Sequence, residues 1–139
     1  MSASTPRYPI AEHEPERITT ASGRPLTALS LDNVLAGQVP RDDLSITADA
    51  LRLQAQVARA AGRAPLADNF ERAAELVAVP QDFVLEIYEL LRPGRAADKS
   101  ALLAAAEQLR REFAAERLAL FVEEAAEQYE QRRLFRRRY

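Results

Sequence analysis

The side chains best suited to acid–base and metal chemistry are scarce in this sequence. Its 139 residues include one histidine, His13, and no cysteine. Without cysteine the chain has no disulfide and no thiolate ligand, and one histidine cannot supply a usual zinc site by itself. His13 lies between Glu12 and Glu14 in a proline-rich stretch, where a solvated histidine is expected rather than a proton shuttle. We therefore predict no metal site on this chain.

Carboxylate pairs are the next candidates for acid–base catalysis. Two pairs are adjacent in sequence: Asp42/Asp43 and Glu123/Glu124. Neighbouring residues on a helix point in different directions, so we expect ordinary solvated charges rather than two groups that share a proton. Serine and threonine occur at predicted caps and near the N-terminus, and no base can be paired with any of them as a nucleophile. The sequence therefore predicts no catalytic and no cofactor-binding residue.

The C-terminal stretch "QRRLFRRRY" is a candidate for nucleic-acid binding. Its arginines are Arg132, Arg133, Arg136, Arg137 and Arg138. They lie near a predicted helix C-terminus, where cations complement the helix dipole. The whole chain has 19 Lys+Arg against 21 Asp+Glu and a formal charge of -2, so no overall positive field attracts a polyanion. We interpret the stretch as a solvated tail and expect no nucleic-acid partner.

A helix–glycine–helix segment over residues 55–76, "AQVARAAGRAPLADNFERAAEL", is similar in outline to a helix-turn-helix motif. The second helix of such a motif offers Arg, Lys, Asn or Gln to DNA. Here it carries Asp68, Glu71 and Glu75, which the phosphates would repel. A free-standing DNA-binding or regulatory protein stays as the alternative hypothesis.

Hydrophobic periodicity and capping residues predict the helices that position these side chains. Ser30 caps a short helix over residues 31–39, and Thr47 caps a longer one that ends at Gly62. Pro80 closes the helix that follows. The positions expected to be buried on these two longer helices are Ala50, Leu53, Val57, Ala60, Leu66, Phe70, Ala73 and Val77.

A third helix, over residues 80–91, is apolar around more than one face. Phe83, Ile87 and Leu90 are expected to fill the chain's own core. The other apolar positions are Val84, Leu85, Tyr88 and Leu91. An apolar arc wider than one stripe indicates burial on two sides, and the second side could meet this chain's own core or another subunit.

A final helical stretch begins at Asp98 or Ser100 and meets no glycine or proline before the chain ends. Its apolar positions form two stripes: Leu102, Ala106, Leu109 and Phe113, then Ala114, Leu118, Phe121, Ala125 and Tyr129. The second stripe is displaced by one residue, or about 100° of helix rotation. This displacement predicts a bend or break between Glu112 and Glu116. A continuous helix stays as the alternative.

The chain as a whole is predicted to be all-α. Residues 1–30 contain four prolines and no hydrophobic period, so they can order only against a surface, their own or a partner's. No alternating strand pattern competes with the helices. We expect a single domain over residues 1–139, with an irregular N-terminal arm (1–30) and a compact body of about four to six helices (31–139).

Nothing in the sequence predicts secretion or a membrane span. The N-terminus "MSASTPRYPI" has no apolar core and no cleavage site. The uncharged apolar runs are far shorter than the roughly 20 residues that a membrane span needs. We expect a cytoplasmic protein without a membrane partner.

Five blocks in order resemble the small subunit of adenosylcobalamin-dependent diol or glycerol dehydratase. They are "YPIAEHEPE" (8–16), "LDNVLAGQV" (31–39), "ITADALRLQAQVARAAGR" (46–63), "NFERAAELVAVP" (69–80) with "VLEIYELLRP" (84–93), and "FVEEAAEQYEQRRL" (121–134). Only seven residues precede the "YP" block, whereas some members of the family have an N-terminal extension there. The "FRRRY" end is also outside the family pattern.

The resemblance implies a non-catalytic subunit of a lyase that converts 1,2-propanediol or glycerol into an aldehyde and water. It implies large and medium subunits as partners in a dimer of heterotrimers. Adenosylcobalamin and potassium would be bound by those other subunits, and none by this chain. The residues expected at the interface with the large subunit are Tyr8, Pro9, Ile10, Val84 and Tyr88. Substrate preference and enclosure in a bacterial microcompartment are left open.

Overall fold

The computed structural model describes residues 4–135. Its α-helices are α1 (Ile10–His13), α2 (Leu31–Leu35), α3 (Ala48–Ala60), α4 (Ala64–Leu76), α5 (Gln81–Leu90), α6 (Lys99–Phe113) and α7 (Glu116–Gln131). Three 3₁₀ turns cover Pro15–Arg17, Leu26–Ala28 and Arg41–Leu44. The all-α prediction is confirmed, and within residues 4–135 the one extended pairing is an isolated bridge between Thr19 and Pro25. Helix α1 was not predicted, because its four residues are too few to show a period.

Backbone contacts divide the chain into two compact units, Met1–Ala74 and Glu75–Tyr139. The first unit includes the described part of the predicted arm together with α2, α3 and most of α4. The second includes α5, α6 and α7. A single domain over residues 1–139 stays a prediction.

The helix starts of the first unit follow the predicted caps. Ser30 Oγ accepts a hydrogen bond from the Asn33 N–H at 3.2 Å, and Thr47 Oγ1 accepts one from the Ala50 N–H at 3.2 Å. Gly62 ends α3 with a φ of +73°, a left-handed conformation that glycine adopts without steric cost. Local capping chemistry therefore sets these boundaries as expected.

The buried face of α3 and α4 differs from the prediction. The residues buried on these helices are Leu51, Ala55, Ala58, Ala67 and Ala74. The predicted Ala60 is exposed and Val77 lies beyond the end of α4, while Leu66 is largely exposed. Ala55, Ala58 and Ala67 form one cluster with Phe70 beside it. Most of the buried positions lie one residue after a predicted one, so the prediction was wrong by about 100° of helix rotation. Small side chains let two helices approach closely, which favours these alanines at the inner positions.

The arm is held to its unit by a buried carboxylate, contrary to the prediction of a solvated Asp43. Asp43 is 3% exposed. Its oxygens accept hydrogen bonds from the Ser22 N–H at 2.9 Å and the Ser22 hydroxyl at 2.7 Å, and Arg24 Nε lies 3.7 Å away. These donors replace water around the charge, which is why a carboxylate can be buried here. The neighbouring Asp42 is exposed, as predicted.

The second unit has the larger apolar core. Its fully enclosed large side chains are Leu102, Leu109 and Val122. Phe83 and Ile87 of α5 pack into the same cluster, with Leu90 half-buried beside it. The predicted core face of α5 is therefore confirmed. On α7 the buried residues are Leu118, Ala119, Val122 and Ala126, so the predicted stripe is wrong at Ala114 and Phe121, both of which are exposed.

The predicted break in the last helical stretch is confirmed at Ala114. This residue has a φ of +51° in the left-handed region and separates α6 from α7. The turn folds the two helices back onto each other, and both contribute to the core. A left-handed conformation is sterically unfavourable for alanine, so the packing of α6 against α7 must offset that cost.

Candidate subunit interface

Several titratable groups of the described residues are held by hydrogen bonds within the fold. The Ser22 hydrogen bonds hold the pKa of Asp43 below its ordinary value, and Arg110 lowers the pKa of Glu116 in the same way. Hydrogen bonds to Glu127 and Glu130 raise the pKa of Lys99. Each shift moves a pKa further from pH 7. A general acid or base works best when its pKa lies near the working pH.

Ion pairs hold two of the other candidate charges, Glu123 and Asp68. Arg110 lies 3.0 Å from Glu123 and 2.8 Å from Glu116, so Glu123 belongs to a network that joins α6 to α7. Arg59 pairs with Asp68 at 3.0 Å, between the two helices of the helix–glycine–helix segment. Among residues 4–135 no three His, Cys, Asp or Glu side chains are grouped to hold a metal ion.

An apolar groove lies on the surface of the second unit. The unit 2 groove is lined by Leu76, Val84, Ile87, Tyr88, Leu91, Leu109, Leu118, Phe121 and Val122 and encloses about 180 Å³. Tyr88 is 61% exposed at its edge and Phe121 is 43% exposed. No charged side chain is among the lining residues. Such a groove can accept apolar side chains of another molecule, and Tyr88 can place its ring against them while its hydroxyl meets water.

Polar contacts fix the helix that supplies Tyr88. The Tyr129 hydroxyl donates to the Leu91 carbonyl at the end of α5. The Gly94 N–H donates to the Leu134 carbonyl at 2.7 Å. The C-terminal end of α5, which forms part of the groove wall, is therefore held by hydrogen bonds to α7 and to Leu134 just beyond it.

The residues predicted at an interface fall in different environments. Val84 and Tyr88 both line the unit 2 groove. Tyr8 is exposed and borders a separate concavity of about 440 Å³ in the first unit, beside Val57 and Phe70. Pro9 is half-buried. Ile10 is 2% exposed, so its side chain belongs to the packing of its own unit and offers no surface to a partner.

Two groove residues escaped the sequence analysis. Leu76 was not singled out in the sequence, and Phe121 was expected in the core stripe of α7, but both line the groove. The helical period around Phe121 identified an apolar residue correctly but not the direction in which its side chain faces.

Of the arginine-rich tail, Arg132 is exposed, and Arg136, Arg137 and Arg138 lie outside the described residues. None of the helices described over residues 4–135 is long and apolar enough to cross a bilayer.

Comparison with known proteins identifies the group to which this chain is related. Residues 3–136 match the family described as dehydratase small subunit. The chain belongs to this family. It is 48% identical over 132 residues to the propanediol dehydratase small subunit of Salmonella typhimurium, and 47% identical to that of Citrobacter freundii. Each alignment covers 95% of this chain and 76% of the relative.

Membership of the dehydratase small subunit family confirms the resemblance seen in the sequence blocks. A small subunit implies other dehydratase subunits as partners. It favours a subunit of an enzyme complex over the DNA-binding alternative. The exposed apolar groove is then a candidate for the surface at which another subunit binds.

Proposed function

We propose that this chain is the non-catalytic small subunit of a propanediol or glycerol dehydratase, which converts a 1,2-diol into an aldehyde and water. The observation that carries the proposal is the 48% identity, over 95% of this chain, to a propanediol dehydratase small subunit. Its task is to bind and stabilise the large catalytic subunit. A partner that binds only the folded state stabilises that state by mass action.

The proposed assembly contains large, medium and small subunits, two of each. Adenosylcobalamin and potassium are assigned to the other subunits. The one histidine of the chain, His13, is exposed, and among residues 4–135 no three His, Cys, Asp or Glu side chains are grouped to hold a metal ion. We propose a cytoplasmic location for the complex, with enclosure in a bacterial microcompartment as an option that depends on the other subunits.

The unit 2 groove, whose lining includes Val84 and Tyr88, is the proposed docking site for the large subunit. Tyr8 and Pro9 of the first unit are proposed as further contacts. Apolar side chains at such a surface lose water on binding, and each fully buried one contributes about 1.5–3 kcal/mol relative to exposure. The groove supplies this contribution without any polar group to be desolvated.

Coexpression tests the proposal directly. The chain is produced with a large and a medium dehydratase subunit, and the purified particle is sized and assayed with adenosylcobalamin on 1,2-propanediol and on glycerol. We expect the three chains to elute together and the active particle to lose yield or stability when this chain is omitted. Elution of this chain apart from a fully active and equally stable particle would contradict the proposal.

A further inference from the structure

Lys99 is the one lysine of the chain, and the other 18 of its 19 Lys+Arg residues are arginines. The two side chains differ in chemistry as well as in shape. An unprotonated amine adds to an aldehyde carbonyl and forms an imine, whereas a guanidinium keeps its proton at every physiological pH. Lys99 is therefore the side chain of this protein at which an aldehyde can form an imine.

Two carboxylates of α7 hold the amine of Lys99. Its Nζ lies 2.6 Å from Glu127 Oε1, and it donates a hydrogen bond to Glu130 Oε2 at 2.9 Å. We call these three side chains the Lys99 clamp. An ammonium group has three N–H donors and no lone pair, so a nitrogen held in this way has no electron pair to offer to a carbonyl carbon.

The Lys99 clamp joins the start of α6 to the end of α7. Lys99 is the first residue of α6, while Glu127 and Glu130 lie close to the last residue of α7, Gln131. A cation at a helix N-terminus and carboxylates at a helix C-terminus each oppose the helix dipole. These charges therefore do not stabilise their own helices, and their pairing between the two helices is the interaction that favours their placement.

A second ionic network joins the same two helices near the turn at Ala114, and its cation is an arginine. Arg110 lies 2.8 Å from Glu116 and 3.0 Å from Glu123. An aldehyde that modifies amines would leave this guanidinium intact but would change the Lys99 clamp. An imine nitrogen carries at most one N–H, so it could bind at most one of the two glutamates. Aldehyde attack on Lys99 would thus weaken one of the two ionic contacts between α6 and α7.

The carboxylates of the clamp also reduce the supply of reactive amine. Hydrogen bonds from Lys99 to Glu127 and to Glu130 raise the pKa of this lysine above its ordinary value. The fraction of unprotonated amine at neutral pH is therefore smaller than in a solvated lysine, and it falls tenfold for each unit by which a pKa rises.

We propose that the Lys99 clamp protects this amine from the aldehyde that the proposed dehydratase releases. The inference rests on the proposed function, which supplies the aldehyde, and adds a chemical property of this chain. In the step that the clamp slows, the ammonium group first gives a proton to water. The nitrogen lone pair then forms a C–N bond to the carbonyl carbon, and the carbonyl oxygen leaves as water when the C=N bond forms.

The test measures the rate at which propionaldehyde modifies Lys99 in the full chain. Cyanoborohydride serves as the hydride donor that reduces each imine to a stable secondary amine, and peptide mass spectrometry compares Lys99 with the α-amino group of the same chain. The variant Glu127→Gln/Glu130→Gln removes both charges of the clamp but keeps side-chain length and helix propensity. The matched control, Glu86→Gln/Glu112→Gln, removes two exposed carboxylates on α5 and near the far end of α6.

We expect Lys99 to react about threefold to tenfold faster in the clamp variant than in the wild type, because exposed ion pairs contribute modestly and one unit of pKa is a factor of ten. The control should react as the wild type does.

Equal rates at Lys99 in the wild type and the clamp variant would overturn the inference, as would an equal increase in the control. Circular dichroism checks that the helices survive. If the double variant unfolds, the single variants Glu127→Gln and Glu130→Gln decide, since each must raise the rate above that of the wild type. The comparison needs no partner subunit, so its failure leaves the proposed function standing. Failure of the chain to join a dehydratase particle would instead overturn the proposed function.

Discussion

At the scale of single residues, Asp43 shows how one buried charge can organise an irregular segment. It accepts two hydrogen bonds from Ser22, which is 21 positions earlier in the chain, and Arg24 lies near the same carboxylate. Thr20 is also buried in this turn, and its N–H donates to the Arg24 carbonyl at 2.9 Å. The turn between Thr20 and Arg24 therefore depends on a carboxylate that must stay ionised.

Stability should fall at acid pH when Asp43 is protonated. Its pKa is lowered in the folded state from an ordinary 3.8, so its ionised form contributes stability that is present above about pH 3.8. That contribution is lost as the pH falls further, through the lower pKa of the folded state. We expect Asp43→Asn to be less stable than the wild type at pH 7 and the difference to shrink below pH 3.8. Thermal unfolding of both proteins across pH, with Asp42→Asn as the control, measures this; a gap that does not change with pH would contradict it.

At the scale of helices, the start of α7 depends on a residue from another element. Ala115 precedes α7 and makes no side-chain cap. The N–H groups of Arg117 and Leu118 donate instead to the Glu75 carboxylate, at 3.1 and 2.8 Å. A negative charge at a helix N-terminus also complements the helix dipole. Glu75, which the sequence analysis considered only as a charge that DNA would repel, thus caps a helix that begins 41 residues further along the chain.

Removal of this cap should destabilise α7 without affecting chemistry. Glu75→Ala leaves two N–H groups of the first turn without their acceptor, and a lost cap costs about 1 kcal/mol. The matched control is Glu124→Ala, an exposed carboxylate later on the same helix. Chemical denaturation of the full chain, together with hydrogen exchange at Arg117 and Leu118, measures the effect. Equal stability of the two variants would show that water replaces Glu75 fully. Turnover of the assembled enzyme should stay close to that of the wild type, because Glu75 is engaged in the fold.

At the scale of the whole molecule, the described residues combine charges that are paired within the chain with an open apolar groove. Its perturbed carboxylates and lysine are tied into hydrogen bonds and ion pairs. Three of its exposed apolar residues, Leu76, Tyr88 and Phe121, line the unit 2 groove. Both observations suit a member of the dehydratase small subunit family, whose name implies other subunits as partners.

Tyr88 should contribute strongly to assembly. Truncation of a large aromatic side chain at an interface costs about 2–4 kcal/mol, or about thirtyfold to a thousandfold in affinity. We expect Tyr88→Ala to weaken assembly with the large subunit by that much, and Glu86→Ala, an exposed change on the same helix, to leave it nearly unchanged. Coexpression and sizing of the particle compare the two, with circular dichroism to confirm folding. Equal assembly of both variants would show that the groove is not the docking site.

The sequence by itself determined the features that depend on neighbouring residues. Capping by Ser30 and Thr47 and the glycine turn at Gly62 follow from interactions within about one helical turn. The break near Ala114 was visible as a one-residue displacement of the apolar stripe. The family was also evident from ordered sequence blocks, and the comparisons confirmed it. These signals need no knowledge of which helix packs against which.

Only the tertiary structure decided what depends on residues far apart in the chain. Ser22 reaches Asp43 across 21 positions, and Arg117 reaches Glu75 across 42; no local pattern predicts such partners. The buried face of α3 and α4 was decided by close packing of alanines, most of them one position after a residue that the periodicity predicted. Periodicity shows that a helix has an apolar side, but its rotation against its neighbours is fixed by the shapes that pack best.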